Sequence, residues 1–346
     1  MKIGLHKLYV AIAMALTMLL AGCERPPIDA VQTGYRGTAM VEINNPRTQE
    51  KLAAENIAPP GIPVPAEGPK ASSVYKNVKV LGNLSEAQFT TFMVAMTSWI
   101  APKEGCSYCH NVQNFADDSV YTKNVARKMI QMTQTINSTW DTHVKDTGVT
   151  CYTCHRGNHI PKEVWFDTAE KKSGGMLGNR NAQNMPSAAV GYTSLPNLPF
   201  ASFFLEGKGA ARITGPTALP TGHLKSIQET ESVYGVMMHL SNSLGVNCTY
   251  CHNSRAFNDW EQSPPTRAQA WYGIQMVKDV NSNYIDSIVG LFPPHRLGPD
   301  GDAAKANCAT CHQGVNKPLL GKSMLKDYPY LVGPSEKKPT TLAQKK

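Results

Sequence analysis

Apolar residues recur every three or four positions in four segments of the chain, residues 84–100, 125–140, 226–244 and 266–288. This spacing gives each segment one apolar face and predicts four helices. In the first of them Ser85 is placed to cap the start, and Pro102 prevents the helix from continuing.

Long stretches between these helices show no such period. Residues 24–75 and 161–222 are rich in Pro, Gly and Asn, and few segments alternate between apolar and polar positions as strands do. The sequence therefore predicts a mainly α fold whose helices are joined by long irregular connecting segments.

The first 23 residues have the layout of an export signal. Lys2, His6 and Lys7 precede an apolar run over residues 8–20, which is shorter than the ~20 residues that cross a bilayer. A short membrane anchor left in place is the alternative. Leu20-Ala-Gly-Cys23 resembles a bacterial lipoprotein cleavage site, which implies that Cys23 becomes the first residue and carries a diacylglycerol lipid, with or without an N-acyl chain. We expect an exported protein, lipid-anchored on the periplasmic face of the inner membrane.

Composition and charge exclude several classes of protein. The chain has 346 residues, of which 41% are hydrophobic and 17% charged, so neither a coiled coil nor a disordered protein is expected. The formal net charge is +8, but residues 316–346 hold seven Lys against two acidic residues, and the signal holds two more Lys. Residues 23–315 are left at about +1. The excess positive charge lies mainly in the C-terminal tail rather than in a patch on the rest of the chain, and nucleic acid is not an expected partner.

Eight of the nine cysteines fall into four C-x-x-C-H motifs. Two thiols three residues apart can add to the two vinyl groups of a haem, and the adjacent imidazole can bind its iron. The pattern predicts four covalently bound haem c groups. The motifs are motif one (Cys106, Cys109, His110), motif two (Cys151, Cys154, His155), motif three (Cys248, Cys251, His252) and motif four (Cys308, Cys311, His312).

Other uses of paired cysteines explain the pattern less well. Disulfides and zinc sites do not require a His after every second Cys, and thioredoxin-like motifs occur singly beside a βαβ pattern that this sequence lacks.

The surroundings of the motifs indicate a duplicated two-haem unit. Motifs one and three share C-[ST]-Y-C-H-N-x-x-x-F-x-D, whereas motifs two and four share C-x-T-C-H-[RQ]-G-x-x-x-P. Residues 283–302 resemble an extra loop in the second copy. The predicted organisation is a signal peptide (1–22), an irregular segment (23–75), a first two-haem unit (76–215), a second two-haem unit (216–330) and a basic disordered tail (331–346).

The sixth iron ligands decide between an electron carrier and an enzyme with an open iron. Met93, Met129 and Met237 lie on the helices that lead into motifs one, two and three, and a thioether there would close the iron. Each could equally fill core space. The helix before motif four has Gly273 where its counterpart has Met129, so His143 is the candidate to reach across to the fourth haem. An ordinary core or surface His is the alternative.

With these motifs in order, the sequence resembles the tetrahaem cytochrome subunit of the photosynthetic reaction centre of purple bacteria. The likeness runs from Cys23 to about residue 330 and includes Tyr75-Lys76-Asn77-Val78 and Phe92-Met93-x-x-Met96. In that family three haems have His/Met ligation and the fourth His/His. Carried over to this chain, the resemblance implies Met93, Met129, Met237 and His143 as the distal ligands of haems one to four.

The resemblance also implies a function. The protein would be a redox carrier rather than an enzyme, taking electrons from a soluble cytochrome c or high-potential iron–sulfur protein and re-reducing the photo-oxidised bacteriochlorophyll pair. Its partners would be the membrane subunits of the reaction centre. Two alternatives are a multihaem oxidoreductase and a periplasmic electron conduit linked to the quinol pool.

Overall fold

The computed structural model describes residues 28–34, 40–167, 183–185, 187–205 and 227–334, with four isolated positions among the first fourteen residues. The predicted signal, apart from those four positions, lies outside the described residues. So do the predicted lipid site Cys23 and residues 335–346 of the predicted tail.

Helices dominate the described chain, so the prediction of a mainly α fold is confirmed. The α-helices are α1 Pro46–Glu55, α2 Ala71–Val74, α3 Glu86–Ile100, α4 Tyr121–Thr139, α5 Asp141–Val144, α6 Cys151–His155, α7 Ala201–Phe204, α8 Ile227–Leu244, α9 Thr266–Asp279 and α10 Cys308–His312. A π-helix follows at Val280–Ile285, and 3₁₀ turns lie at Gly105–Tyr108, Lys145–Thr147, Ala188–Val190, Cys248–Tyr250, Asp286–Leu291, Pro294–Arg296, Pro318–Gly321 and Pro329–Leu331.

The strands are short and form two antiparallel pairs. In one pair β1 (Asp29–Gln32) lies against β2 (Val41–Asn44) with Asp29 opposite Asn44. In the other β3 (Val164–Trp165) lies against β4 (Lys305–Ala306), which joins the two halves of the chain.

The four predicted helices are present, with changed ends. Helix α3 begins after Ser85, whose side-chain oxygen accepts from the backbone N–H of Gln88 at 3.1 Å, and ends at Ile100. Helix α4 begins four residues earlier than predicted. The predicted helix over residues 266–288 is α-helical only to Asp279, because the chain then widens into the π-helix that carries the buried Asn281.

Two further helices contradict the prediction that residues 24–75 are wholly irregular. Helix α1 is capped by the side chain of Asn45 and begins with Pro46, yet none of its residues is buried. Its face toward the protein is only half-buried and Leu52 is its one large apolar side chain, so the sequence shows no run of large apolar positions there.

Three apolar clusters form the core. The first packs Phe92 and Trp99 of α3 against Tyr328 and Leu331 near the end of the described chain. The second is made largely of aromatic residues from α7 and its approach, packed on α8 and α9. The third lies between α4 and α9.

That third cluster joins the first and second halves of the chain. Trp140 packs beside Met276 and Val280, and its indole N–H donates to an Asp279 carboxylate oxygen at 2.8 Å.

Among the described residues, no helix combines the length and the apolar character needed to cross a bilayer.

Candidate functional site

The cysteine motifs occupy two kinds of local structure. Motifs two and four each fill a five-residue helix, α6 and α10, whereas motifs one and three lie on 3₁₀ turns. Thr150 and Asn307 begin the two short helices with reciprocal capping bonds, and both helices end in a left-handed residue, Arg156 (φ 47°) and Gln313 (φ 48°).

A buried Asn positions one motif in each half of the chain, through the same pair of hydrogen bonds. The amide of buried Asn137 bonds both backbone groups of Val149, two residues before motif two. The amide of buried Asn281 bonds both backbone groups of Ala306, two residues before motif four. Each buried amide therefore fixes where its motif starts.

The imidazoles of the four motif histidines are oriented in the same way. In each, Nδ1 donates to a backbone carbonyl within the following five residues: Phe115 (3.3 Å), Asn158 (2.9 Å), Phe257 (2.9 Å) and Val315 (3.0 Å). This bond fixes the ring and leaves Nε2 as the nitrogen available to a metal, the arrangement typical of ligating histidines.

Burial keeps these imidazoles neutral. Desolvation is the main cause that lowers the pKa of His110, His155 and His252, and it lowers the pKa of His312 to about 4. A neutral imidazole is the form that binds iron, so all four motif histidines suit that role.

The eight motif cysteines are free thiols. Burial raises the pKa of Cys151 and Cys308 to about 12, and that of Cys251 to about 11. A thioether to haem carries no charge, so buried neutral thiols are compatible with that attachment. No group of three or more His, Cys, Asp or Glu suited to hold a metal ion occurs among the described residues. The donor set therefore fits covalent haem.

Among the described residues, one cavity of about 490 Å³, lined mainly by apolar side chains, touches all four motifs. All the Cys and His residues of motifs two and four line it, but only Cys109 of motif one and Cys251 of motif three do. The sulfurs of Cys154 and Cys311 lie 2.6 Å apart. Motifs two and four are thus adjacent at the centre, and motifs one and three lie at its edges.

The cavity brings His143 to motif four, although the two are far apart in sequence. The His143 ring centroid lies 6.1 Å from that of His312, at 68° between ring planes. Its Nδ1 donates to the carbonyl of Gln269 at 2.9 Å, so Nε2 is again the free nitrogen. Since a metal–imidazole bond is about 2 Å long, this separation can hold one iron between the two rings.

Helix α9 makes room for this histidine at Gly273. A Cβ at position 273 would lie only 2.5 Å from Cε1 and 2.9 Å from Nδ1 of His143. The absence of a methionine at position 273 is therefore also a steric requirement, because any side chain at that position would displace the His143 ring.

The predicted methionine ligands are placed less uniformly. Met129 lines the central cavity together with His155. Met93 and Met237 are half-buried on α3 and α8, packed against the first and second core clusters, and do not line that cavity.

Some residues of the site went unnoticed in the sequence. Gln269 holds His143 from both sides, since its carbonyl accepts from the ring and its side-chain amide donates to the His143 carbonyl at 3.0 Å. No sequence signal marks it. Asn137 and Asn281 do carry a signal, since they occupy matching positions in the internal repeat.

Comparison with known proteins gives a family match over most of the chain. Residues 24–332 match the family model described as photosynthetic reaction centre cytochrome C subunit. Three relatives bear the name photosynthetic reaction center cytochrome c subunit. The protein from Rubrivivax gelatinosus is 54% identical (93% of this chain, 88% of the relative), that from Thermochromatium tepidum 47% (93% and 79%), and that from Roseobacter denitrificans 41% (87% and 85%).

Proposed function

This chain belongs to the family of photosynthetic reaction centre cytochrome c subunits, and from that membership we propose that it passes electrons through four haems from a soluble carrier to the photo-oxidised bacteriochlorophyll pair. As such a subunit it carries covalently bound haem c, has other reaction-centre subunits as partners and is associated with the photosynthetic membrane. The observation that carries the proposal is the shared cavity, which is lined by at least one cysteine of each of the four C-x-x-C-H motifs.

Each motif would bind one haem through its two cysteines and its histidine. When bound, haem supplies a one-electron couple at its iron. The chain's residues would hold the porphyrin by two thioethers and would present a neutral Nε2 to the metal, with the ring fixed by its Nδ1 bond.

The distal ligands would be Met93, Met129 and Met237 for the first three haems and His143 for the fourth. The proposal for His143 is supported by its distance from His312 and by the space at Gly273. A methionine ligand raises an iron's potential relative to a second histidine, so the fourth haem would differ from the others.

The spatial order of the haems would be first, second, fourth, third. This order is supported by the contact of Cys154 with Cys311 at the centre and by the solvent exposure of Cys106 and Cys248, against the burial of Cys151 and Cys308. An electron entering at one exposed end would leave at the other.

The two halves would be duplicated two-haem units over residues 76–215 and 216–330. The matching contacts of Asn137 and Asn281 support this division, as do the matching ends of α6 and α10.

The third haem would be the one nearest the membrane. Strand β2 bonds the start of motif three: Ile43 and Asn247 exchange bonds of 2.8 and 3.2 Å, and buried Glu42 accepts from the Asn247 N–H at 2.9 Å. Strand β1 begins six residues after Cys23, a span of at most ~20 Å. If Cys23 carries lipid on the periplasmic face, motif three lies close to the bilayer and motif one faces the soluble donor.

A flash experiment on membranes tests this function. We expect a single flash to oxidise a c-type haem as the bacteriochlorophyll pair is re-reduced, and we expect membranes lacking this chain to lose that phase only. Flash oxidation of the pair without any haem oxidation would reject the proposal.

Carbon monoxide binding separates the carrier from a multihaem oxidoreductase. With all four irons closed by side chains, reduced protein should bind little carbon monoxide. Ready binding at one haem of the native protein would favour the enzyme instead.

A further inference from the structure

The side chain of Arg156 crosses from motif two to motif four. It follows His155 directly, but its guanidinium donates to the carbonyl of Cys311 at 3.3 Å. It also donates to the side-chain oxygen of Asn56 at 2.9 Å and to the carbonyl of Glu55 at 3.2 Å. A positive charge therefore lies beside the backbone of a cysteine of the other two-haem unit.

This charge is not neutralised by the protein around it. All three acceptors are uncharged groups, and in the described parts of the chain Arg156 forms no ion pair. Its Nε is buried without a hydrogen-bond partner. Because a guanidinium stays protonated in proteins, a full unit charge is held at the junction of motifs two and four.

The charge lies beside both motifs, since Arg156 directly follows motif two in the chain. Its hydrogen bonds distinguish the two motifs: the Cys311 carbonyl of motif four is one of its three acceptors, and none of the three belongs to motif two.

The second unit has no matching charge. Gln313 follows His312 as Arg156 follows His155, with the same left-handed backbone, and its neutral side chain donates to the carbonyl of Thr310. The position that matches Arg156 in the second unit therefore carries no charge.

We propose that Arg156 raises the reduction potential of the fourth haem, the one attached at Cys308 and Cys311. This inference rests on the proposed function, since it requires haem at motif four. The iron there accepts one electron from a neighbouring reduced haem and later passes one on, and its positive charge falls by one on reduction. A nearby cation favours the reduced form, which offsets the lower potential that a second histidine gives this haem.

The expected effect is about tenfold in the equilibrium constant for reducing the fourth haem. A unit charge ~12 Å from another, at an effective dielectric constant of about 20, has an effect of this size. For a one-electron couple a tenfold change corresponds to about 59 mV.

Redox titration of the purified holoprotein, followed in the haem α-band, tests the inference. R156Q places the second unit's own residue at this position, R156M is a second neutral variant if R156Q loses haem, and R156K keeps the charge. Q313A, which alters the matching position without changing charge, is the control. H143M changes the proposed distal ligand of the fourth haem and so identifies which step (wave) of the titration belongs to that haem.

We expect R156Q or R156M to lower the fourth haem's potential most, by about tenfold in the equilibrium constant, with R156K and Q313A close to wild type. An unchanged wave, a larger shift of the second haem, or an R156K shift equal to that of R156Q would overturn the inference. Fewer than four haems in the wild-type chain, counted as pyridine haemochrome, would instead reject the proposed function.

Discussion

Replacing Gly273 by Ala tests the proposed His143 ligation directly. Gly-to-Ala changes in a helix interior normally stabilise the fold by about 1 kcal/mol. Here the new Cβ would lie 2.5 Å from the His143 ring, and the ring must retreat by about 1 Å to reach an ordinary contact of 3.4 Å. Overpacking of this kind costs about 1–3 kcal/mol, so the free energy of unfolding should change little or fall modestly.

The effect on the proposed fourth haem should be far larger than the effect on stability. Metal–imidazole bonds tolerate deviations of about 0.2 Å, so a displacement of about 1 Å breaks the bond. We expect G273A to keep four haems while the fourth becomes high-spin when oxidised and binds carbon monoxide when reduced. Electron paramagnetic resonance and carbon monoxide difference spectra measure these changes.

Gly290 provides a matched control on the 3₁₀ turn Asp286–Leu291. A Cβ at position 290 has no atom within 4 Å, so G290A should leave every haem as in the wild type. The reasoning would be refuted by a G273A protein whose fourth haem keeps a low-spin spectrum, its potential and its indifference to carbon monoxide.

Three further substitutions have defined outcomes. Asn137→Ala removes bonds to the Val149 N–H and carbonyl and to the Leu331 carbonyl, and should lower the free energy of unfolding by about 2–4 kcal/mol in denaturant titrations; a loss below about 1 kcal/mol would contradict the anchoring role. Met129→His should lower the potential of the second haem alone, and a redox titration with that wave unmoved would exclude Met129 as its ligand. Asp118→Asn should destabilise the protein at neutral pH, because Arg127 and the other cations around this carboxylate hold its pKa well below the ordinary 3.8. The stabilisation is complete above pH 3.8 and declines as the pH falls from 3.8 toward the lower pKa of the folded state. The difference in thermal stability between D118N and wild type should therefore shrink below pH 3.8, and a difference that does not depend on pH would contradict this account.

The sequence was most informative where chemistry forces a fixed spacing. Two thiols and an imidazole must lie on one turn to serve one haem, so the four motifs could be identified without a structure. The four helices were also predicted, because each has a face packed on the core and therefore an apolar period.

Elements with few large apolar residues were missed. In helix α1 only Leu52 is large and apolar, and the strands are at most four residues long, too short to show alternation. The predicted helix over residues 266–288 is helical throughout, but the apolar period did not distinguish its α-helical part, which ends at Asp279, from the π-helix Val280–Ile285 and the 3₁₀ turn Asp286–Leu291.

By itself, the sequence determined the local features of this protein: eight cysteines in four C-x-x-C-H motifs, the repeated residues around those motifs and the family that the chain belongs to. The sequence also pointed to His143 as a partner of motif four, but only through the missing methionine at Gly273. Only the tertiary structure decided which motifs are neighbours, how the His143 ring faces His312, and that Arg156 reaches across to motif four. The physical reason is that bonding within a motif is local and leaves a fixed spacing. Contacts between residues more than a hundred positions apart depend on how helices pack, and spacing alone does not record them.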